Sequence, residues 1–453
     1  MASTSGRVRV PPPLLRRRVP SGRGATEQPN APVAEEARLT LRFWLLVALV
    51  GVGAGLAGAL LIGLLHLTEH VAFGYASGSF AEGAQHASPL RRVLATAGGG
   101  VVVAVGFFLV RRWTRGRADV DDAVWHGDGT LSAPRAAGTA VFSEIAVGAG
   151  ASVGREAAPR LIGGLLGSVL GRWAGMSTAQ RRLLVACGAG AGFAAVYDVP
   201  LGGAVFTAEV LCGGIALPVV LPALASCAIA TATAWVALPR EATYPGLPDL
   251  PPTTSATVWA LAVAVPLGLL AVGFVRLIAR VSHHRPTGWW SLPAPLVAML
   301  VVGLVGIPLP ELFGNGKILA DLAFDARGSI VLLLVLGALK PLLTSLCLGS
   351  GIAGGLFTPT LSTGAALGAG LGGLWSLAWP GTGVVTFAVI GAAAFVGAAM
   401  QAPLAALALL LELTHAGFGL MVPMAVATVL ATVTARVVDG YSIYSGRLPP
   451  SGP

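Results

Sequence analysis

Two glycine-rich blocks each occur twice in this chain, in the same order and at nearly the same separation, and no other feature limits the fold as tightly. Gly148-Ala-Gly-Ala-Ser-Val-Gly154-Arg-Glu-Ala-Ala158 aligns without gaps on Gly349-Ser-Gly-Ile-Ala-Gly-Gly355-Leu-Phe-Thr-Pro359. Gly188-Ala-Gly-Ala-Gly-Phe-Ala-Ala-Val-Tyr-Asp-Val-Pro200-Leu, with Glu209 nine residues after the proline, parallels Gly391-Ala-Ala-Ala-Phe-Val-Gly-Ala-Ala-Met-Gln-Ala-Pro403-Leu, with Glu412 nine after. The offsets are 201 and 203 residues. Two related halves follow, about residues 41–240 and 254–447, with one site built from a loop of each. Repeats in transporters commonly pack with opposite topology and meet at the bilayer midplane, so an inverted pair is expected.

Composition supplies the solvent. The 453 residues are 55% apolar and 11% charged, with 62 glycines, too greasy for a soluble domain of this size. The chain reads as an all-α, polytopic membrane protein. Candidate spans are Phe43 to Leu67, Val93 to Val110, Leu183 to Leu211, Leu217 to Leu238, Val258 to Ala279, Ala294 to Leu309, Ile330 to Leu348, Val384 to Leu413 and Leu420 to Val438. Several are too short, too long or too interrupted for a clean helix, so tilted and broken helices are expected.

The net charge of +9 sits largely in Arg7, Arg9, Arg16, Arg17, Arg18 and Arg23, ahead of the first span. That places the N-terminus in the cytoplasm. Residues 1–40 read as a disordered basic tail touching anionic lipid, and 449–453 as a short C-terminal tail. The leader lacks an aromatic to stack on bases, so nucleic-acid binding is not expected. It also lacks an apolar segment with a cleavage site, so the first span stays in the mature protein. Cys187, Cys212, Cys227 and Cys347 lie singly in apolar runs, as packing residues do. His66 and His70 share a helix face but have no third metal ligand. No cofactor is expected.

Glu156 stands out against this background, because an ionisable group at membrane depth is costly to bury and marks a functional site by default. The glycines around Glu156 and Phe357 permit close backbone approach, and Pro359 suits the first turn of a helix. Each loop can therefore present bare N–H groups to an anion, and the Glu156 carboxylate can occupy that position when ionised and leave it when protonated. Gly349-Ser-Gly-Ile-Ala-Gly354 formally matches the dinucleotide fingerprint but lacks its soluble βαβ context. Gly163, Gly164, Gly167 and Gly171 read as close helix packing. Glu209 and Glu412 read as buried caps in preference to proton relays.

These residues together resemble the CLC family of chloride channels and proton/chloride antiporters, from about Arg42 to Leu448. Glu156 in Gly-Arg-Glu is similar to the family's gating glutamate, and Gly355-Leu-Phe-Thr-Pro359 matches its second filter motif. The resemblance implies an anion site lined by Arg155, Glu156, Ala157, Leu356, Phe357 and Thr358, with Tyr444 donating its hydroxyl from the intracellular side. Asn315 in Gly314-Asn-Gly-Lys317 also fits the second half. A homodimer with one pathway per subunit, in a bacterial plasma membrane and without C-terminal CBS domains, is implied as well.

Three departures accompany the resemblance. The family's first filter motif lands on Thr114-Arg115-Gly116-Arg117-Ala118, which puts Arg115 at the inner anion site, with Asp119, Asp121 and Asp122 to neutralise it. Ala157-Ala158 replaces Gly-Pro, with Pro159 one place late, so a shifted helix start is expected. Val210 stands where the antiporters carry an internal proton-transfer glutamate. The reading is therefore transport of chloride or a similar monovalent anion, channel-like or weakly proton-coupled, behind a glutamate gate. Proton/chloride antiport is one alternative, and a transport-inactive structural or partner-binding homologue is another.

Overall fold

Lipid offers no hydrogen bonds to the backbone, so a spanning chain must satisfy its own amides and carbonyls. The computed structural model describes residues 37–248 and 250–448 and does so with seventeen α-helices. They are α1 Leu41–Phe73, α2 Phe80–His86, α3 Pro89–Trp113, α4 Val120–Trp125, α5 Ala133–Gly148, α6 Ala157–Trp173, α7 Thr178–Tyr197, α8 Pro200–Phe206 and α9 Leu217–Ala234. The second half adds α10 Thr254–His283, α11 Pro293–Val305, α12 Lys317–Phe324, α13 Ile330–Gly349, α14 Phe357–Ala378, α15 Val384–Met400, α16 Pro403–Thr414 and α17 Met421–Val438. The basic leader up to residue 36 and the tail from 449 lie outside the described residues.

Seven stretches are long and apolar enough to cross a bilayer: α1, α3, α9, α10, residues 288–305, α13 and residues 418–438. At 33 residues α1 is about 50 Å long against a hydrocarbon core of about 30 Å, so it crosses obliquely. Leu45, Leu49, Leu56 and Leu60 on α1 are exposed, as lipid-facing side chains are.

Two of the nine expected spans need correction. The runs 183–211 and 384–413 each break in the middle, where Asp198 and Gln401 both adopt a left-handed conformation with φ 56°. One extended residue and a proline follow, and α8 and α16 start there. Proline cannot donate to the preceding turn and pushes its neighbour out of helical geometry, so an unbroken helix is excluded.

The break has the same form in both blocks, at Asp198 and at Gln401. Glu209 accepts from the Leu404 and Ala405 amides at 3.4 and 2.7 Å, capping α16. Glu412 accepts from the Leu201 and Gly202 amides at 3.0 and 2.5 Å, capping α8. The exchange is reciprocal, as a two-fold relation between halves requires, and both glutamates are structural caps. Glycines do the same for packing: a Cβ on Gly163 would lie 2.0 Å from the Gly188 carbonyl oxygen, and one on Gly391 would lie 2.5 Å from the Gly368 Cα. Thus α6 packs backbone to backbone on α7, and α14 on α15.

Candidate functional site

The two glycine-rich loops meet. Gly154 donates its N–H to the Gly355 carbonyl at 2.7 Å, and Gly355 returns the bond to Gly154 at 2.8 Å. The chain then turns into a helix on each side, at Ala157 and at Phe357. Pro159 and Pro359 both take the third helical position, where the missing N–H would be unpaired in any case. The change to Ala157-Ala158 therefore leaves α6 starting in the same relation to its proline as α14.

Glu156 caps this junction, fully buried, with its carboxylate folded over the paired glycines. Its Oε1 accepts from the Phe357 N–H at 2.7 Å, the first amide of α14. Its Oε2 accepts from the Tyr197 hydroxyl at 3.2 Å and the Thr358 hydroxyl at 3.3 Å. The two hydroxyls also lie 2.6 Å apart, so their two protons serve three contacts: either both donate to Oε2, or one donates to the other and the second to Oε2. A helix N-terminus and converging hydroxyls are what a small anion would use, so the carboxylate sits as an anion surrogate. Glycine is required beneath it, since a Cβ on Gly355 would lie 2.0 Å from Oε1 and one on Gly154 2.2 Å from Oε2.

A cavity of about 350 Å³ reaches the junction from one side, lined by Ala157, Ala158, Gly354, Gly355, Leu356 and Tyr444. Five arginines line it, Arg111, Arg135, Arg160, Arg285 and Arg447, against Asp119 and Asp121. The excess positive charge concentrates anions at its mouth. Arg160 is the deepest of them. It bonds Asp121 at 3.1 Å, and its guanidinium lies 5.0 Å from the ring centres of both Phe206 and Tyr444. The Tyr444 hydroxyl and the Arg160 Nε are buried and have no hydrogen-bond partner among the described residues.

Most of the expected site residues thus converge. Phe357 and Thr358 donate to Glu156, while Ala157, Leu356 and Tyr444 line the cavity, and the Arg155 guanidinium lies 4.8 Å from the Tyr197 ring centre. Arg115 does not join them. It is exposed in the loop after α3 and is not among the cavity-lining residues. Its expected neutralisers are engaged elsewhere: Asp121 pairs with Arg160, Asp122 with Arg117 at 2.8 Å, and Asp119 caps α4. The guanidinium of the inner cavity is Arg160, which the sequence reading passed over, as it did Tyr197. A buried arginine four residues after Glu156 in an apolar helix was the available signal. His70 Nδ1 lies 2.8 Å from the Tyr75 carbonyl oxygen, and its ring centre lies 4.2 Å from that of Tyr75.

Comparison with known proteins places the fold. A family profile described as voltage gated chloride channel matches residues 99–436. A ClcB-like protein of Ralstonia nicotianae is 31% identical over 376 residues, covering 79% of this chain and 85% of its own. The voltage-gated ClC-type chloride channel ClcB of Salmonella typhimurium is 28% identical, covering 88% and 97%. Among solved structures, a slow cyanobacterial Cl−/H+ antiporter superposes with a TM-score of 0.78 at 23% identity, covering 90% of this chain and 97% of that one. A CLC-type fluoride/proton antiporter gives 0.70 at 21%, covering 89% and 97%. The chain is a multi-pass membrane protein that belongs to the CLC family of anion transporters.

Proposed function

We propose that this protein carries chloride or a similar monovalent anion across a bacterial plasma membrane in exchange for protons, with Glu156 as both plug and proton acceptor. The observation that carries the reading is the seat of the Glu156 carboxylate on the Phe357 amide and the Tyr197 and Thr358 hydroxyls. An anion and an ionised Glu156 compete for the same donors. The anion enters when the carboxylate takes up a proton and leaves, which ties the two occupancies together at one position. The solved neighbours described as antiporters support exchange, whereas the curated relatives are described as chloride channels. Passive conduction is the second reading, favoured by Val210, a buried side chain that cannot carry a proton.

The arginine-rich cavity faces the cytoplasm in this reading. Arg111 ends α3 on that side, and Arg276 and Arg285 gather there through contacts with Asp439 and Leu348. Excess arginine marks the cytoplasmic side. A homodimer with one pathway per subunit belongs to the same proposal and is checked by the mass of the protein in detergent. The test of function is simultaneous chloride and proton flux from proteoliposomes holding a steep chloride gradient. Uphill proton movement supports exchange, chloride efflux without protons supports conduction, and no anion movement supports the transport-inactive homologue.

A further inference from the structure

One buried acid is used by nothing described so far. Glu144 lies near the end of α5, fully buried, and neither carboxylate oxygen has a hydrogen-bond donor among the described residues. Its neighbour Ser143 lines the anion cavity and donates to the Ala353 carbonyl at 2.9 Å, so α5 presents one residue to the anion side and the next away from it. The charged groups acting on Glu144 are Arg155 and Glu156 from the first loop and Glu69 from α1. Among these only Arg155 is cationic, and it faces Glu69 as well. Ionising every carboxyl of a buried group that shares one guanidinium is costly, and the unpartnered Glu144 is the member with least to offset that cost. Glu156 has an amide and hydroxyls within hydrogen-bonding distance, whereas Glu144 has no donor among the described residues, and a buried carboxyl without donors is least costly as the neutral acid.

Resting on the exchange reading above, we propose that Glu144 is a second proton-binding site, holding a proton while Glu156 is ionised and passing it to Glu156 when the plug leaves the anion position. The transfer converts the Glu144 acid and the Glu156 carboxylate into the Glu144 carboxylate and the Glu156 acid, with Arg155 as counter-ion. Glu144 is then reprotonated from the aqueous side that Glu69 faces. Glu69 lies near the end of α1 that Arg91 ties down at 2.8 Å, at the opposite end of α3 from the Arg111 cavity. The proton and the anion thus approach Glu156 from opposite sides.

The test uses the full chain in liposomes and two variants. Glu144→Gln mimics the protonated acid in shape, and Glu144→Asp keeps an acid. An infrared difference spectrum at neutral pH, wild type against Glu144→Gln, is expected to show loss of a protonated-carboxyl carbonyl band that Glu144→Asp retains. Simultaneous flux is expected to show fewer protons moved per chloride in Glu144→Gln while chloride turnover persists, with partial recovery in Glu144→Asp. An unchanged band together with an unchanged proton-to-chloride ratio would overturn the proposal. Wild-type protein that moves chloride without protons, yet loses the band in Glu144→Gln, overturns the exchange reading and the hand-off but leaves Glu144 a proton-binding site.

Discussion

The loop at Glu156 and the loop at Phe357 share a backbone and differ in what they put on it. Both cross at a paired glycine, both start a helix within three residues, and both place a proline in its first turn. The first adds a charged side chain long enough to reach over its partner, and the second adds a bare amide and a phenylalanine packed 5.1 Å from Phe193. The two matching loops are asymmetric at their centre, one holding the carboxylate and the other the amide that it accepts from. Away from that centre symmetry persists, as the reciprocal Glu209 and Glu412 caps and the matched Asp198 and Gln401 breaks demonstrate.

The strongest way to erase the asymmetry is Glu156→Gln. Losing a charge-assisted seat weakens the plug by about 1.5–3 kcal/mol, on the order of tenfold to a hundredfold in occupancy. Chloride flux should rise at neutral pH. In the proposed cycle proton uptake by the carboxylate opens the pathway, so flux in the wild type is expected to rise as pH falls and the variant to lose most of that dependence. Proteoliposome efflux across a pH series reads both effects.

Packing offers a second comparison. Gly163→Ala drives a methyl to 2.0 Å from the Gly188 carbonyl, whereas Gly368→Ala meets its nearest atom, the Phe387 carbonyl oxygen, at 2.5 Å. The first should cost about 1–3 kcal/mol and exceed the second, read as loss of thermal stability in detergent. The caps test whether the halves remain equivalent: Glu209→Gln and Glu412→Gln should each lose about 1–2 kcal/mol, and by similar amounts. Unequal losses would show that one cap has acquired another task. The smallest change is Tyr197→Phe, which removes one donor to the plug worth about 1 kcal/mol. With one donor fewer the carboxylate is held less tightly in its seat, and chloride flux at neutral pH should rise by less than in Glu156→Gln.

The repeat, the membrane class and the pairing of Glu156 with the Phe357 loop were legible because each depends on local spacing. Gly154 and Gly355 occupy the same place in aligned blocks, and their pairing in space follows from the repeat. Arg115 and Arg160 show where legibility stopped. Counting along the chain placed a guanidinium at the inner site but chose an exposed one, because one-dimensional spacing does not reveal which arginine an aspartate and two rings will hold. Tyr197 was quoted as part of a block and overlooked as a donor, since spacing along the chain does not show that the end of α7 meets a side chain 41 residues away. The two over-long spans failed for a related reason: hydropathy runs straight through a break made by one αL residue and one proline.

Equilibrium chloride binding to the purified protein, by calorimetry at neutral and at acidic pH, tests most directly whether the Glu156 carboxylate and the anion share one seat. The account predicts tighter binding at acidic pH in the wild type and pH-independent, tight binding in Glu156→Gln. Equal affinity at both pH values in the wild type, unchanged by the substitution, would contradict it.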